Sequence, residues 1–242
     1  MRIDAYLFEK GYTKSRTESK NLILKGAVSV NGRVITKPSY DIEGEEITVS
    51  VDRSSVKYVS RGGLKLEFAL DSFKIDVFGR RAIDIGASSG GFTDCLIKRN
   101  VNSVIAIDSG KGQLSADIAN DKRVTSIESY NARFLSADDL PYIPNLCVMD
   151  VSFISATLIM PAIYSVLSSG ADFVCLIKPQ FEVGKENVGK GGIVKNMRAR
   201  ELAVSKVIDF AVNIGFTFKG IIESPILGGD GNTEYLAHFI KL

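Results

Sequence analysis

From residue 81 onward, apolar residues come in short continuous runs separated by stretches of mixed polarity. The runs are 81–85, 103–107, 124–127, 146–149, 173–177, 216–222 and 235–240, each the length of a buried strand, with helix-length segments between several of them. This alternation predicts an α/β fold: a Rossmann-like, doubly wound sheet of seven strands, mostly parallel, with helices on both faces. The last two runs are too close for a crossover helix, so the final strand is expected to run antiparallel.

The first 55 residues have a different texture. Ile3, Tyr6 and Leu7 mark a short helix that stops at Gly11, and Ser15-Arg16-Thr17-Glu18 reads as a capping box opening a second helix that stops at Gly26. Val28 to Ile35 reads as a hairpin turning on Asn31-Gly32, and a further short strand spans 47–51. The pattern predicts a small α+β domain over 1–55, a linker over 56–64 and the large α/β domain over 65–242.

Composition excludes disorder: 45% of the 242 residues are hydrophobic and 24% charged. Net charge is only +2, but residues 1–37 carry eight Lys/Arg against three Asp/Glu. Lys14, Arg16, Lys20, Lys25 and Arg33 thus form a basic patch on helix and hairpin, suited to phosphate. Cys95, Cys147 and Cys175 are widely spaced in apolar surroundings, as expected of buried thiols in a reducing cytoplasm rather than a zinc site or disulfide framework. Charges at Asp4, Glu9 and Lys10 interrupt any secretory signal. Residues 151–171 carry no charge, but five serines, Thr157, Pro161 and Gly170 make a buried helix the expectation there, not a membrane span.

Candidate chemistry begins where the first strand of the sheet runs into Asp84-Ile85-Gly86-Ala87-Ser88-Ser89-Gly90-Gly91-Phe92, a glycine-rich turn that opens a helix. A dinucleotide fingerprint wants glycine at the position of Ser88, which weakens a pyrophosphate-binding role without excluding it. The alternative resembles motif I of S-adenosylmethionine-dependent methyltransferases. Asp108, ending the second strand, could accept the ribose hydroxyls of either cofactor. Asp150 and Lys178 end the fourth and fifth strands, so opposite charges emerge from apolar strands toward one cleft.

Two resemblances sharpen this reading. The run "YLFEKGYTKSRTESKNLILKGAVSVNGRVI" resembles the RNA-binding domain named after small-subunit ribosomal protein S4, which implies RNA binding by residues 1 to about 55. Lys65, Asp150, Lys178 and Glu234 resemble the Lys-Asp-Lys-Glu tetrad of RNA ribose 2′-O-methyltransferases related to the heat-shock RNA methylase FtsJ. With "SRGGLKLEFAL", "DIGASSGGFTDCL", "MDVSFIS", "LIKPQFEVGK" and "GGNTEYL", the chain as a whole is similar to the TlyA family, ribosomal RNA cytidine 2′-O-methyltransferases also labelled hemolysins. The resemblance implies S-adenosylmethionine as cofactor, no metal, and ribosomal RNA within ribosomal subunits as partner.

The chemistry implied is attack by a ribose hydroxyl on a sulfonium methyl, with Lys178 as base or orienting cation and Asp150 and Glu234 holding the lysines. Amino methylation of a base usually uses an Asp/Asn-Pro-Pro-Tyr/Phe signature, whereas Val151-Ser152-Phe153 follows Asp150. Carbon-5 methylation needs a cysteine nucleophile, commonly after proline, and none here follows one. His238 reads as a structural residue. Residues 178–200, with Lys185, Lys190, Lys195, Arg198 and Arg200 among glycines, read as a mobile basic segment facing RNA. The competing classes are a membrane-active toxin and a non-catalytic RNA-binding scaffold. The first lacks an amphipathic basic helix with a long apolar face, and the intact tetrad argues against the second.

Overall fold

The computed structural model describes residues 1–43, 47–52 and 57–242. Two compact units divide the chain, Met1–Leu64 and Lys65–Leu242. The segment read as a linker over 56–64 therefore belongs to the first unit, except for Val56, outside the described residues; helix α3 (Gly62–Phe73) starts within it.

The first unit holds α1 (Ile3–Glu9), α2 (Arg16–Leu24) and an antiparallel sheet of order β2-β1-β3, where β1 is Val28–Val30, β2 Arg33–Ile35 and β3 Val49–Val51. The third strand is two residues shorter than the apolar run suggests. Asn31 and Gly32 take left-handed φ of 49° and 77°, as a two-residue hairpin turn requires. The Asn31 side chain also accepts from the Thr48 N–H at 2.9 Å. Ile3, Leu7, Leu22, Ile23, Val28 and Ile35 fill the core.

At the start of α2, Ser15 accepts from the Glu18 N–H at 3.1 Å, but Glu18 reaches back one residue further than a capping box predicts, to the Lys14 N–H at 2.8 Å. Asp4 is wholly buried. Its burial opposes the charge, yet hydrogen bonds from Arg2 and Arg16, at 3.1 and 3.2 Å, outweigh it and hold the carboxyl below its ordinary pKa.

The second unit is a seven-stranded sheet of order β6-β5-β4-β7-β8-β10-β9. Its strands are β4 (Arg81–Ile85), β5 (Ser103–Ile107), β6 (Val124–Ile127), β7 (Leu146–Met149), β8 (Asp172–Ile177), β9 (Phe216–Glu223) and β10 (Tyr235–Lys241). β4 to β8 pair in parallel, and β10 runs antiparallel to both β8 and β9. Helices α4 (Gly91–Lys98), α5 (Ala116–Ala119), α6 (Met160–Val166) and α7 (Met197–Asn213) connect strands. The uncharged stretch 151–171 forms loop, a single 3-10 turn and the seven-residue α6, and no helix among the described residues is long and apolar enough to cross a membrane.

Strand order reverses at β4, which has β5 on one side and β7 on the other, so a crevice opens beyond the carboxyl ends of these strands. All three cysteines lie buried and unbridged, and burial pushes the Cys147 and Cys175 thiols up. At the opposite end of the sheet His238 meets Asp172 at 2.7 Å, and Asp172 also pairs with Arg80, a structural cluster away from the crevice.

Asp84 is the one carboxylate inside the central strand. It is fully buried, accepts from the Thr93 hydroxyl of α4 at 2.7 Å, and leaves Oδ1 without a partner. Burial raises its pKa to about 7; the Thr93 hydrogen bond opposes this and the charges of Asp150 and Asp108 reinforce it. The unfolded chain then loses this proton near pH 4 and the folded chain only near pH 7, so folding stability falls as pH rises between them. Thermal unfolding of wild type and Asp84→Asn at about pH 5 and about pH 8 checks this. The wild type is expected to lose stability relative to the variant on going to high pH, by on the order of a few kcal/mol; parallel pH profiles would refute the assignment.

Candidate active site

A cavity of about 380 Å³ occupies the crevice and is lined by the loops after β4, β5, β6 and β7. Its shape begins with Gly86. With φ of 83°, this residue turns the chain directly off β4, and a Cβ on it would stand 2.3 Å from the Asp150 carbonyl oxygen at the end of β7. The glycine is needed there for packing of protein against protein, more than for access by a ligand. Gly90, with φ of 92°, stands at the N-cap of α4, and its missing Cβ makes room for Leu114 and Ile118.

Asp108 faces the cavity from the end of β5. Its Oδ2 accepts from the Ser88 N–H at 2.8 Å and its Oδ1 from the Gly110 N–H at 2.7 Å, so two backbone groups fix the carboxylate while lone pairs remain for a ligand. Ser88 itself takes a left-handed φ of 48°, unusual for a non-glycine residue.

Of the nine residues expected to hold a cofactor, Gly86, Ser88 and Asp108 line the cavity. Asp84, Ala87, Gly90, Gly91 and Phe92 are buried instead and form the packed base of the loop, and Ser89 accepts from the Ser115 N–H. Residues that sequence reasoning passed over include Gln113, Tyr130, Asn131 and Ser152. The loop after β6, which carries Tyr130 and Asn131, was accessible to the strand-end rule once that strand was placed.

The four charged residues of the tetrad pair two by two. Lys178 Nζ lies 2.5 Å from Asp150 Oδ1, a contact of charges rather than an aligned hydrogen bond, and donates to Ser152 Oγ at 2.8 Å. Lys65, on α3, pairs with Glu234 beside the start of β10; their side chains are only 9% and 3% exposed. A pair this dry is costly to break, about 3–5 kcal/mol when one partner is removed. The outer pair differs, because Asp150 itself lines the cavity.

Two pins hold the segment after β8. Glu182 accepts from Ser155 Oγ at 2.6 Å and the Ala156 N–H at 2.7 Å, and burial raises its pKa against these bonds. Asn232, 1% exposed, accepts from the Val194 N–H at 2.9 Å and donates to the Gly192 carbonyl at 2.8 Å. The segment expected to be mobile is thus tied down at both ends, with Lys190 exposed between the pins; the Lys185 side chain is outside the described residues. In the first unit Lys14, Arg16, Lys20 and Arg33 are exposed and Lys25 is half-buried.

Among the described residues the cavity lining contains two carboxylates, Asp108 and Asp150, and no lysine or arginine. Such a lining opposes a pyrophosphate and suits a sulfonium cation attached to an adenosine, which decides between the two cofactors left open by the sequence. The volume is in the range of small-molecule pockets. The residues present therefore fit S-adenosylmethionine, the methyl donor of the fold.

Comparison with known proteins agrees. The FtsJ-like methyltransferase family matches residues 58–241 and the S4 domain residues 1–47. Hemolysin A of Brachyspira hyodysenteriae is 44% identical over 99% of this chain and 100% of that protein. The 16S/23S rRNA (cytidine-2′-O)-methyltransferase TlyA of Mycobacterium tuberculosis is 41% identical over 97% of this chain and 87% of that one. A solved structure from Streptococcus thermophilus, described as a hemolysin, superposes with a TM-score of 0.79 at 40% identity, covering 100% of this chain and 88% of that chain. Joining an S4 domain to a methyltransferase sheet with a carboxylate-lined cofactor cavity, the chain belongs to the FtsJ-like methyltransferases and, among them, to the TlyA family.

Proposed function

We propose that this protein methylates the ribose 2′-hydroxyl of a cytidine in ribosomal RNA, with Lys178 acting on the hydroxyl. The observation that carries the reading is the Lys178–Asp150 contact, which sets an amine on a carboxylate that itself lines the cofactor cavity. A TlyA relative named for cytidine 2′-O-methylation, 41% identical, supports the same acceptor. The exposed ring of Phe153 on the cavity rim offers the kind of face on which an unstacked base rests.

When bound, S-adenosylmethionine supplies a methyl carbon made electrophilic by the sulfonium. Asp108 would accept from the ribose hydroxyls of the adenosine. Asp150 holds Lys178 at the cavity edge and balances its charge. A ribose hydroxyl is a weak nucleophile near neutrality, so as the oxygen bonds to carbon its proton must leave or be strongly shared. Lys178 either takes that proton or, as an ammonium, stabilises the developing alkoxide. Lys65 and Glu234, sealed against each other, act as framework for this end of the sheet. The basic residues of the first unit and Lys190, Lys195 and Arg198 supply phosphate contacts, which bring affinity and register without reading sequence. Ribosomal substrate implies that the protein works in the cytoplasm.

Three outcomes are expected. Asp108→Ala should weaken calorimetric binding of S-adenosylmethionine by about tenfold or more, through loss of hydrogen bonds to a charged acceptor; unchanged affinity would remove Asp108 from the site. Deleting residues 1–55 should leave cofactor binding in place but cut methylation of intact ribosomal subunits, and activity of the full chain should fall with added salt. Full activity of the truncated protein would end the RNA-anchoring role. Lys178→Ala should abolish methyl transfer while sparing cofactor binding. Lys178→Arg keeps the charge but cannot give up its proton, so activity in that variant would select orientation over base catalysis. A wild-type single-turnover rate in Lys178→Ala, with the methylated nucleotide mapped by mass spectrometry, would overturn the mechanism.

A further inference from the structure

We propose that Ser152 is a positioning residue for the methyl-transfer step, its hydroxyl fixing the direction of the Lys178 amine. The inference rests on the role given to Lys178 above. Lysine carries its charge on a flexible four-carbon stem with freely turning donors, so charge attraction alone holds it near a carboxylate without setting its angle. Here the ammonium meets two oxygens of one short stretch of chain, Asp150 Oδ1 at 2.5 Å and Ser152 Oγ at 2.8 Å. One of its three donors is then engaged by the Ser152 oxygen while the Asp150 charge sits beside the amine, and a donor is left for a substrate oxygen.

The division of labour follows from chemistry. Asp150 supplies the countercharge, but its contact with Nζ lacks hydrogen-bond alignment. Ser152 supplies the aligned bond without adding a second negative charge beside a cavity that already holds two carboxylates. Its side chain is exposed on the cavity wall, and the hydrogen bond to Lys178 is the one given for that hydroxyl among the described residues. Backbone geometry points the same way. Phe153, the next residue, takes a left-handed φ of 64°, an unfavourable conformation for a bulky side chain. Its ring is 92% exposed, so burial of that ring does not offset the strain. A strained turn kept directly after Ser152 is the mark of a loop whose shape serves the site.

The test compares Ser152→Thr with Ser152→Val, side chains of nearly equal shape that differ by the hydroxyl. Methyl-labelled S-adenosylmethionine and both ribosomal subunits, purified from cells lacking the gene, serve as substrates in single-turnover and steady-state assays. The valine variant is expected to lose about tenfold in kcat and single-turnover rate, with KM for the subunit and calorimetric affinity for S-adenosylmethionine unchanged. The threonine variant is expected to stay within about twofold of wild type. Equal rates for the two variants overturn the proposal, and so does a valine variant whose loss lies wholly in cofactor affinity. Lys178→Ala, run alongside, separates the two claims. If it is inactive while valine and threonine behave alike, only the role of Ser152 fails; if it keeps the wild-type rate, the role of Lys178 fails and this inference with it.

Discussion

The close approach of two strand ends governs this site. Gly86 leaves β4 in a left-handed turn and lies against the Asp150 carbonyl of β7, with room for a hydrogen but not for a methyl group. Everything in the cavity takes its place from that contact. The Gly86 turn carries Ser88 to the Asp108 carboxylate, and the same stretch of β7 that presents its carbonyl to Gly86 presents the Asp150 side chain to Lys178. Any larger residue at position 86 would push the two loops apart and disturb Asp108 and the Lys178–Asp150 pair together. The glycine and the aspartate are thus one structural device, although they are 64 positions apart in the chain.

The electrostatics follow from the same geometry. Asp84, Asp108 and Asp150 end or approach the ends of three neighbouring strands; burial raises the Asp84 pKa, the charges of Asp150 and Asp108 add to it, and the last two also line the cavity. A cationic cofactor relieves such crowding, whereas a dinucleotide would aggravate it. Lys178 relieves it at one edge only. The cavity thus carries a deficit of positive charge that a bound sulfonium would make good.

Much of this architecture was legible before any coordinates. Strands β4 to β7 begin and end at the predicted residues; for β4, β5 and β7 the reason is that a strand buried on both faces writes its length directly into hydrophobicity, whereas β6 is a half-exposed edge strand. The antiparallel β10 followed from the shortness of the preceding connection. Less legible were features that depend on partners far away in sequence. Glu18 was placed on the right helix end but on the wrong N–H, since both alternatives satisfy the same local pattern. Gly86 both lines the cavity and lies against the Asp150 carbonyl, a packing constraint the local motif does not show, and Asp84, Ala87, Gly90, Gly91 and Phe92 are buried at the base of their loop. Ser152 lies within the run "MDVSFIS", but its contact with the lysine that follows the neighbouring strand is not written in that run.

The basic segment after β8 is anchored by contacts that its own residues do not announce. Four glycines and alternating charge suggest a chain free to move, yet Glu182 and Asn232 each bond it twice to neighbouring loops through buried side chains. Anchoring of this kind bears on what the segment could do for RNA. A free loop would lose conformational entropy on every encounter, and that loss would be deducted from the affinity its lysines provide. Ordering during folding removes the deduction. It also keeps Lys178, four residues before Glu182, from being dragged by whatever Lys190 or Lys195 contacts. On the proposed reading, phosphate binding at the surface and proton handling at the cavity would lie in one short stretch of chain without interfering, a separation that depends on two polar side chains no charge count would single out.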